Sequence, residues 1–76
     1  MIVRFEAGVA RWVAERQHFT WAETRPGEAG VIMLYRPRVF EQIEGWLLSW
    51  GDQMEVLEPP ALRERIAALA ARIAGR

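Results

Sequence analysis

The chain has 76 residues, half of them apolar, and its ten cationic side chains, all Arg, balance ten acidic ones to a formal charge of zero. That length gives one small domain without a second core, and the balanced charge removes the bulk attraction to nucleic acid that a basic domain would have. No cysteine is present, which excludes disulfides, thiol chemistry and cysteine-ligated metals.

A domain of this size buries only about 60–65% of its unfolded surface, so four Trp, each burying about 150–250 Å², are a heavy aromatic load for a small core or an interface. Arg without Lys reads first as the codon bias of a GC-rich genome, although planar Arg groups also favour bidentate contacts with anions. The N-terminus lacks a basic segment followed by an apolar run, so no signal peptide is expected. No apolar stretch approaches the roughly 20 residues that cross a bilayer. The expected location is the cytoplasm.

Ile2 to Glu6 reads as a short strand that begins almost at residue one, as in a domain cut from a longer chain. A helix follows from about Ala7 to Gln17, with Val9, Val13 and Arg16 on one stripe and Trp12 beside it. Phe19 to Thr24 alternates bulky and small residues, as a strand does. Arg25-Pro-Gly-Glu-Ala-Gly30 is a turn cluster and Val31 to Arg36 the next strand, so the two form a hairpin. Pro37 ends it and keeps Arg36 extended.

The second helix spans about Val39 to Trp50, with Phe40, Ile43, Leu47 and Trp50 on one face and Trp46 adjoining. Gly51 can take the left-handed conformation that closes it. Met54 to Leu57 is the last strand. Pro59 and Pro60 stop that strand, and Pro60 or its neighbour can occupy the first helical position, where a missing N–H costs nothing. The third helix runs from about Pro60 to Ala74, with Leu62, Ile66, Leu69 and Ile73 at a helical period.

This order predicts an α+β domain over residues 1–76, a ferredoxin-like split βαβ (β-α-β-β-α-β) with an additional C-terminal helix. Strand order should be 4-1-3-2, with the first two helices on one face and the other face open. The third helix then covers that face, flanks an edge or reaches a partner. In the third strand Val31, Met33 and Tyr35 share one side and Ile32, Leu34 and Arg36 the other, so both sides are largely apolar. Apolar sheet surface left exposed marks contact with another domain or subunit. The surface expected for self-association is the open face, with Ile32 and Leu34 as anchors and Arg4 and Arg36 at the polar margin. Arg4 and Arg36 are also the candidates for holding an anionic effector. Alternatively, Leu62, Ile66, Leu69 and Ile73 seal that face within one chain.

For catalysis the inventory is thin. Ser49, His18 and Asp52 are the only residues of their kinds, and a nucleophile–base–orienter triad would need all three to converge. The absence of Asn removes an acylphosphatase-type site, and a lone His with scattered Glu has no metal-ligand spacing. No enzyme, cofactor or metal centre is expected. The third strand carries a single aromatic, unlike the base-stacking strand of an RNA-recognition motif. Single-strand binding without sequence preference, through Trp21, Tyr35 and Arg, stays open.

The passage from Trp46 to Arg63, Trp-Leu-Leu-Ser-Trp-Gly-Asp-Gln-Met-Glu-Val-Leu-Glu-Pro-Pro-Ala-Leu-Arg, resembles the close of WYL-domain transcriptional regulators, of the type W-x-L-S-W-G-x-x-x-E-V-L-E-P-P-x-L-R. The opening, Ile2-Val-Arg-Phe-Glu6 followed by Val9-Ala-Arg-Trp-Val13, is similar to the same family's first strand and helix. The hairpin departs from it, with Phe19-Thr-Trp-Ala-Glu23 where members often carry a Gln-containing strand. The resemblance implies the C-terminal extension (WCX) of a bacterial regulator, in which an upstream winged helix binds the promoter and an Sm-like barrel carries the W-Y-L signature. Its implied role is dimerisation and effector sensing. The implied partners are a second copy, the upstream barrel and a nucleic-acid or nucleotide effector, with no membrane and no promoter recognition by this fragment. The alternative is a free-standing ligand- or single-stranded nucleic-acid-binding domain of the same fold.

Overall fold

Alternation in the shortest strand sets the layout. In β1 (Ile2–Phe5) Val3 and Phe5 are fully buried while Ile2 and Arg4 are half-exposed, because successive side chains of a strand point to opposite faces. The computed structural model describes residues 1–75. After β1 come α1 (Ala7–Glu15), β2 (Trp21–Gly27), β3 (Gly30–Tyr35), α2 (Glu41–Leu48), a 3-10 turn at Gly51–Gln53, β4 (Met54–Glu58) and α3 (Pro60–Ala74).

The strands form one antiparallel sheet in the order β2-β3-β1-β4. Read from the opposite edge this is 4-1-3-2, with β1 beside β4. Val3 lies opposite Met33 on one side and Val56 on the other, so these three present one apolar row. With Phe5 and Tyr35 they meet Val9 and Val13 of α1, Ile43 and Leu47 of α2, and Leu62 and Ile66 of α3 in a single cluster. Each such side chain contributes about 1.5–3 kcal/mol on burial.

The third helix therefore joins the layer of the other two. It packs on β4 and α2, and Arg65 ties it to α2 through Glu41 at 3.1 Å and through Glu44. Its apolar stripe fades along its length: Leu62 is fully buried, Leu69 half-buried and Ile73 58% exposed. The expectation that this stripe could seal the opposite face of the sheet is thus corrected.

The hairpin differs from expectation as well. Arg25, Pro26 and Gly27 continue the strand, and the turn is Glu28-Ala29 alone, with Gly27 opposite Gly30. Pro is tolerated because β2 is an edge strand, where a missing N–H breaks no ladder. Gly30 has φ +133°, and a Cβ there would lie 2.2 Å from the Phe5 carbonyl oxygen, so the turn requires glycine. Phe19 and Thr20 precede the strand, and a bulge interrupts it between Trp21 and Glu23.

Both early helices are shorter than their apolar stripes. Arg16, expected on the stripe of the first, is an exposed residue that caps it. At the other junctions the sequence signals hold: Gly51 has φ +62°, and Pro60 opens α3.

Candidate functional site

With all three helices on one side, the other side of the sheet lacks a covering layer among the described residues. Residues directly opposite each other across a ladder share a face, so the register gives its surface in two rows. One row is Arg25, Ile32, Arg4 and Glu55; the other is Glu23, Leu34, Ile2 and Glu58. The centre is aliphatic and half-exposed, and the charges stand on the outer strands or between them.

The structure places the four sequence candidates unequally. Ile32 and Leu34 sit side by side along β3 at the centre of this face. Arg4 lies beside them, in the middle of the sheet and not at its margin, and its guanidinium is already engaged. Its Nε donates to Glu55 Oε1 at 3.0 Å and its Nη1 to the Ala29 carbonyl at 2.7 Å, tying β1 to β4 and to the hairpin tip. Arg36 follows the end of β3; it is exposed and, among the described residues, forms no ion pair. Arg36 is therefore the better placed of the two for an incoming anion.

A second feature escaped the sequence reading. His18 stacks on Phe19 with ring centroids 4.6 Å apart and tilts against Trp46 at 5.3 Å; Trp46 in turn meets Tyr35, Phe5 and Trp50 edge-on at 5.4–6.0 Å. Trp46 Nε1 donates to the Arg16 carbonyl at 3.0 Å, which fastens the end of α1 to α2. The signal was the aromatic content of the α1–β2 loop, which read as part of a strand.

Tyr35 lies inside this cluster. Its hydroxyl donates to Gln17 Oε1 at 2.7 Å, and burial raises its pKa above the ordinary phenol value. It is therefore unavailable as a stacking platform, which corrects the place given to it in single-strand binding. Phe19 is the accessible aromatic, 79% exposed, with Trp21 nearby in sequence at 45%.

Of the three singletons of catalytic type, His18 and Ser49 are engaged in hydrogen bonds. His18 Nε2 lies 2.8 Å from the Gln42 carbonyl and must donate to it, while Nδ1 accepts from the Thr20 N–H at 3.2 Å. Nδ1 also lies 2.6 Å from the Thr20 hydroxyl, so both ring nitrogens are occupied. Ser49 Oγ donates to the Trp46 carbonyl. Asp52 sits exposed in the 3-10 turn. Among the described residues no group of three or more His, Asp or Glu is arranged to hold a metal ion, and no helix is long and apolar enough to cross a membrane.

Comparison with known proteins gives one positive result. The sequence model of the WCX domain matches residues 1–74, essentially the whole chain. No curated protein and no solved structure matches it significantly.

Proposed function

The chain belongs to the WCX domain family, the C-terminal extension of WYL regulators, and from that premise we propose that it is a non-catalytic regulatory and dimerisation module of a bacterial transcriptional regulator, with a ferredoxin-like split βαβ fold and an added helix. The observation that supports this most is the sheet face on which Ile2, Ile32 and Leu34 lie without helix cover, with Arg4 among them and Arg25, Glu23, Glu55 and Glu58 on the outer strands. An aliphatic centre with a charged margin is the anatomy of a protein contact. The upstream WYL barrel of the same regulator is the partner assigned to this face, with Ile32 and Leu34 as anchors. Arg36 is the contact assigned to an anionic effector, and Arg4 holds the face in shape beside Glu55. The module also associates with a second copy of itself, acts in the cytoplasm and turns over no substrate.

Binding of the chain to the barrel segment supplied in trans, followed by calorimetry, tests the assignment. Leu34→Glu should weaken binding at least about tenfold, because the new carboxylate must be desolvated at the centre of the patch. Equal binding by the variant would remove the face from the account.

A second reading, a free-standing binder of single-stranded nucleic acid, draws on the Phe19–His18 stack with its exposed outer ring. Titration of Trp fluorescence with an oligonucleotide of mixed sequence separates the two: saturable quenching lost in Phe19→Ala favours it, and no change removes it.

A further inference from the structure

Among the described residues nothing pairs with the outer edge of the sheet at β2, and all seven residues of that strand are exposed. Main-chain groups along an edge strand point alternately inward to the neighbouring strand and outward to solvent. Two hydrogen bonds fix the phase here. The Tyr35 N–H donates to the Met1 carbonyl at 3.0 Å, on the β1 side, and the Arg36 N–H donates to the Thr20 carbonyl at 2.9 Å, on the β2 side. Ile32 and Leu34, of the same parity as Arg36, therefore turn their main chain toward β2, and their partners Arg25 and Glu23 turn inward to meet them. Thr24 and Pro26 turn outward. Thr24 offers both an N–H and a carbonyl, and Pro26 a carbonyl alone.

We propose that β2 pairs antiparallel with β2 of a second copy of this chain, about a two-fold axis at Thr24. The inference rests on the self-association proposed above and names its seat. Of the axes at Glu23, Thr24, Arg25 and Pro26, the one at Thr24 satisfies both main chain and charge. An axis at Glu23 or at Arg25 sets like charges against each other, and an axis at Pro26 joins two positions that lack a donor. The axis at Thr24 places Glu23 opposite the second copy's Arg25, and Arg25 opposite its Glu23. The two Thr24 residues exchange a pair of N–H···O=C bonds.

Glu23 and Arg25 already pair with each other within the strand, so the dimer closes them into a ring of four alternating charges beside Leu34 and Ile32. Cross-strand pairs of opposite charge are favourable, and like pairs unfavourable. Pro26 and the bulge at Trp21–Glu23 limit the ladder on either side of Thr24, which confines it to a two-fold contact. The resulting eight-stranded sheet keeps both helix layers on one side and makes the two uncovered faces continuous, free for the barrels.

Sedimentation equilibrium of Glu23→Arg and Arg25→Glu tests this. Either variant alone should dissociate at least about tenfold more readily than the wild type, since one presents only Arg and the other only Glu. An equimolar mixture should recover association, because each strand then meets its complement. Thr24→Cys introduces the only cysteine of the chain and should form a symmetric disulfide dimer under mild oxidation. Unaltered association of both charge variants, or a mixture no better than its components, would overturn the edge pairing. If the wild type associates and only Leu34→Glu disperses it, self-association stands and the edge is not its seat. A wild type that is monomeric at every concentration removes both.

Discussion

Truncation along α3 measures how the last helix is held. Leu62 is fully buried in the common core, Ile66 nearly so, Leu69 half-buried, and Ile73 58% exposed. Leu62→Ala removes most of a buried aliphatic side chain and leaves a void that the sheet and α2 can only partly fill, a loss of about 3 kcal/mol within the usual range of about 2–5. At roughly 0.05–0.15 kcal/mol per residue the whole domain has about 4–11 kcal/mol to lose, so Tm should fall by about 12–24 °C. Ile66→Ala should follow closely, and Leu69→Ala should cost about 1 kcal/mol. Ile73→Ala loses little burial and gains helix propensity, so it should lie within about 0.5 kcal/mol of the wild type. Urea unfolding, followed by Trp fluorescence and by ellipticity at 222 nm, gives the four values. An Ile73→Ala cost equal to that of Leu62→Ala would refute the placement, since it would require the far end of the helix to be buried too.

Tyr35→Phe should cost about 1 kcal/mol at neutral pH by removing the bond to Gln17. Because the folded-state pKa is raised above its ordinary 10.0, the unfolded chain ionises first; the stability from this group is full below pH 10 and falls as pH rises above it. Alkaline urea titrations should show that loss in the wild type and a smaller one in the variant, and phenolate absorbance reads this single Tyr directly. Gly30→Ala should destabilise by about 3 kcal/mol or more, through the contact with the Phe5 carbonyl. Gly45→Ala, exposed on α2 with open space around it, should stabilise by about 0.5–1 kcal/mol; thermal melts of the pair check the two signs. No acyl, phosphoryl or ester substrate should be turned over, and a reproducible rate abolished by replacing His18 or Ser49 would contradict that.

Periodicity carried the layout of the sheet because burial follows it directly: Val3, Phe5, Met33, Tyr35 and Val56 alternate with residues of the uncovered face. The last helix was legible at both ends, since Pro60 opens it and the helical spacing of Leu62, Ile66, Leu69 and Ile73 carries it to Ala74. Where it docks was not legible, because four apolar residues at a helical spacing fit any apolar surface, and only the packing of Leu62 and Ile66 decides. The turn was misplaced because Pro-Gly between two apolar runs reads as a turn, whereas the free edge of a sheet can absorb Pro26 without loss of a ladder bond. Among the candidate residues, Ile32 and Leu34 followed from parity alone. The engagement of Arg4 depends on Glu55 and Ala29, distant in sequence by 51 and 25 residues, which no local pattern connects.

The amide NMR spectrum of the isotopically labelled chain, recorded on dilution and then with the WYL barrel added, bears most directly on a sheet whose uncovered side makes the contacts. Glu23, Thr24 and Arg25 should shift with concentration, and Ile32 and Leu34 with the barrel, while Trp12 on the exposed side of α1 stays in place. Shifts confined to the helix layer, or a spectrum that neither dilution nor the barrel alters, would contradict it.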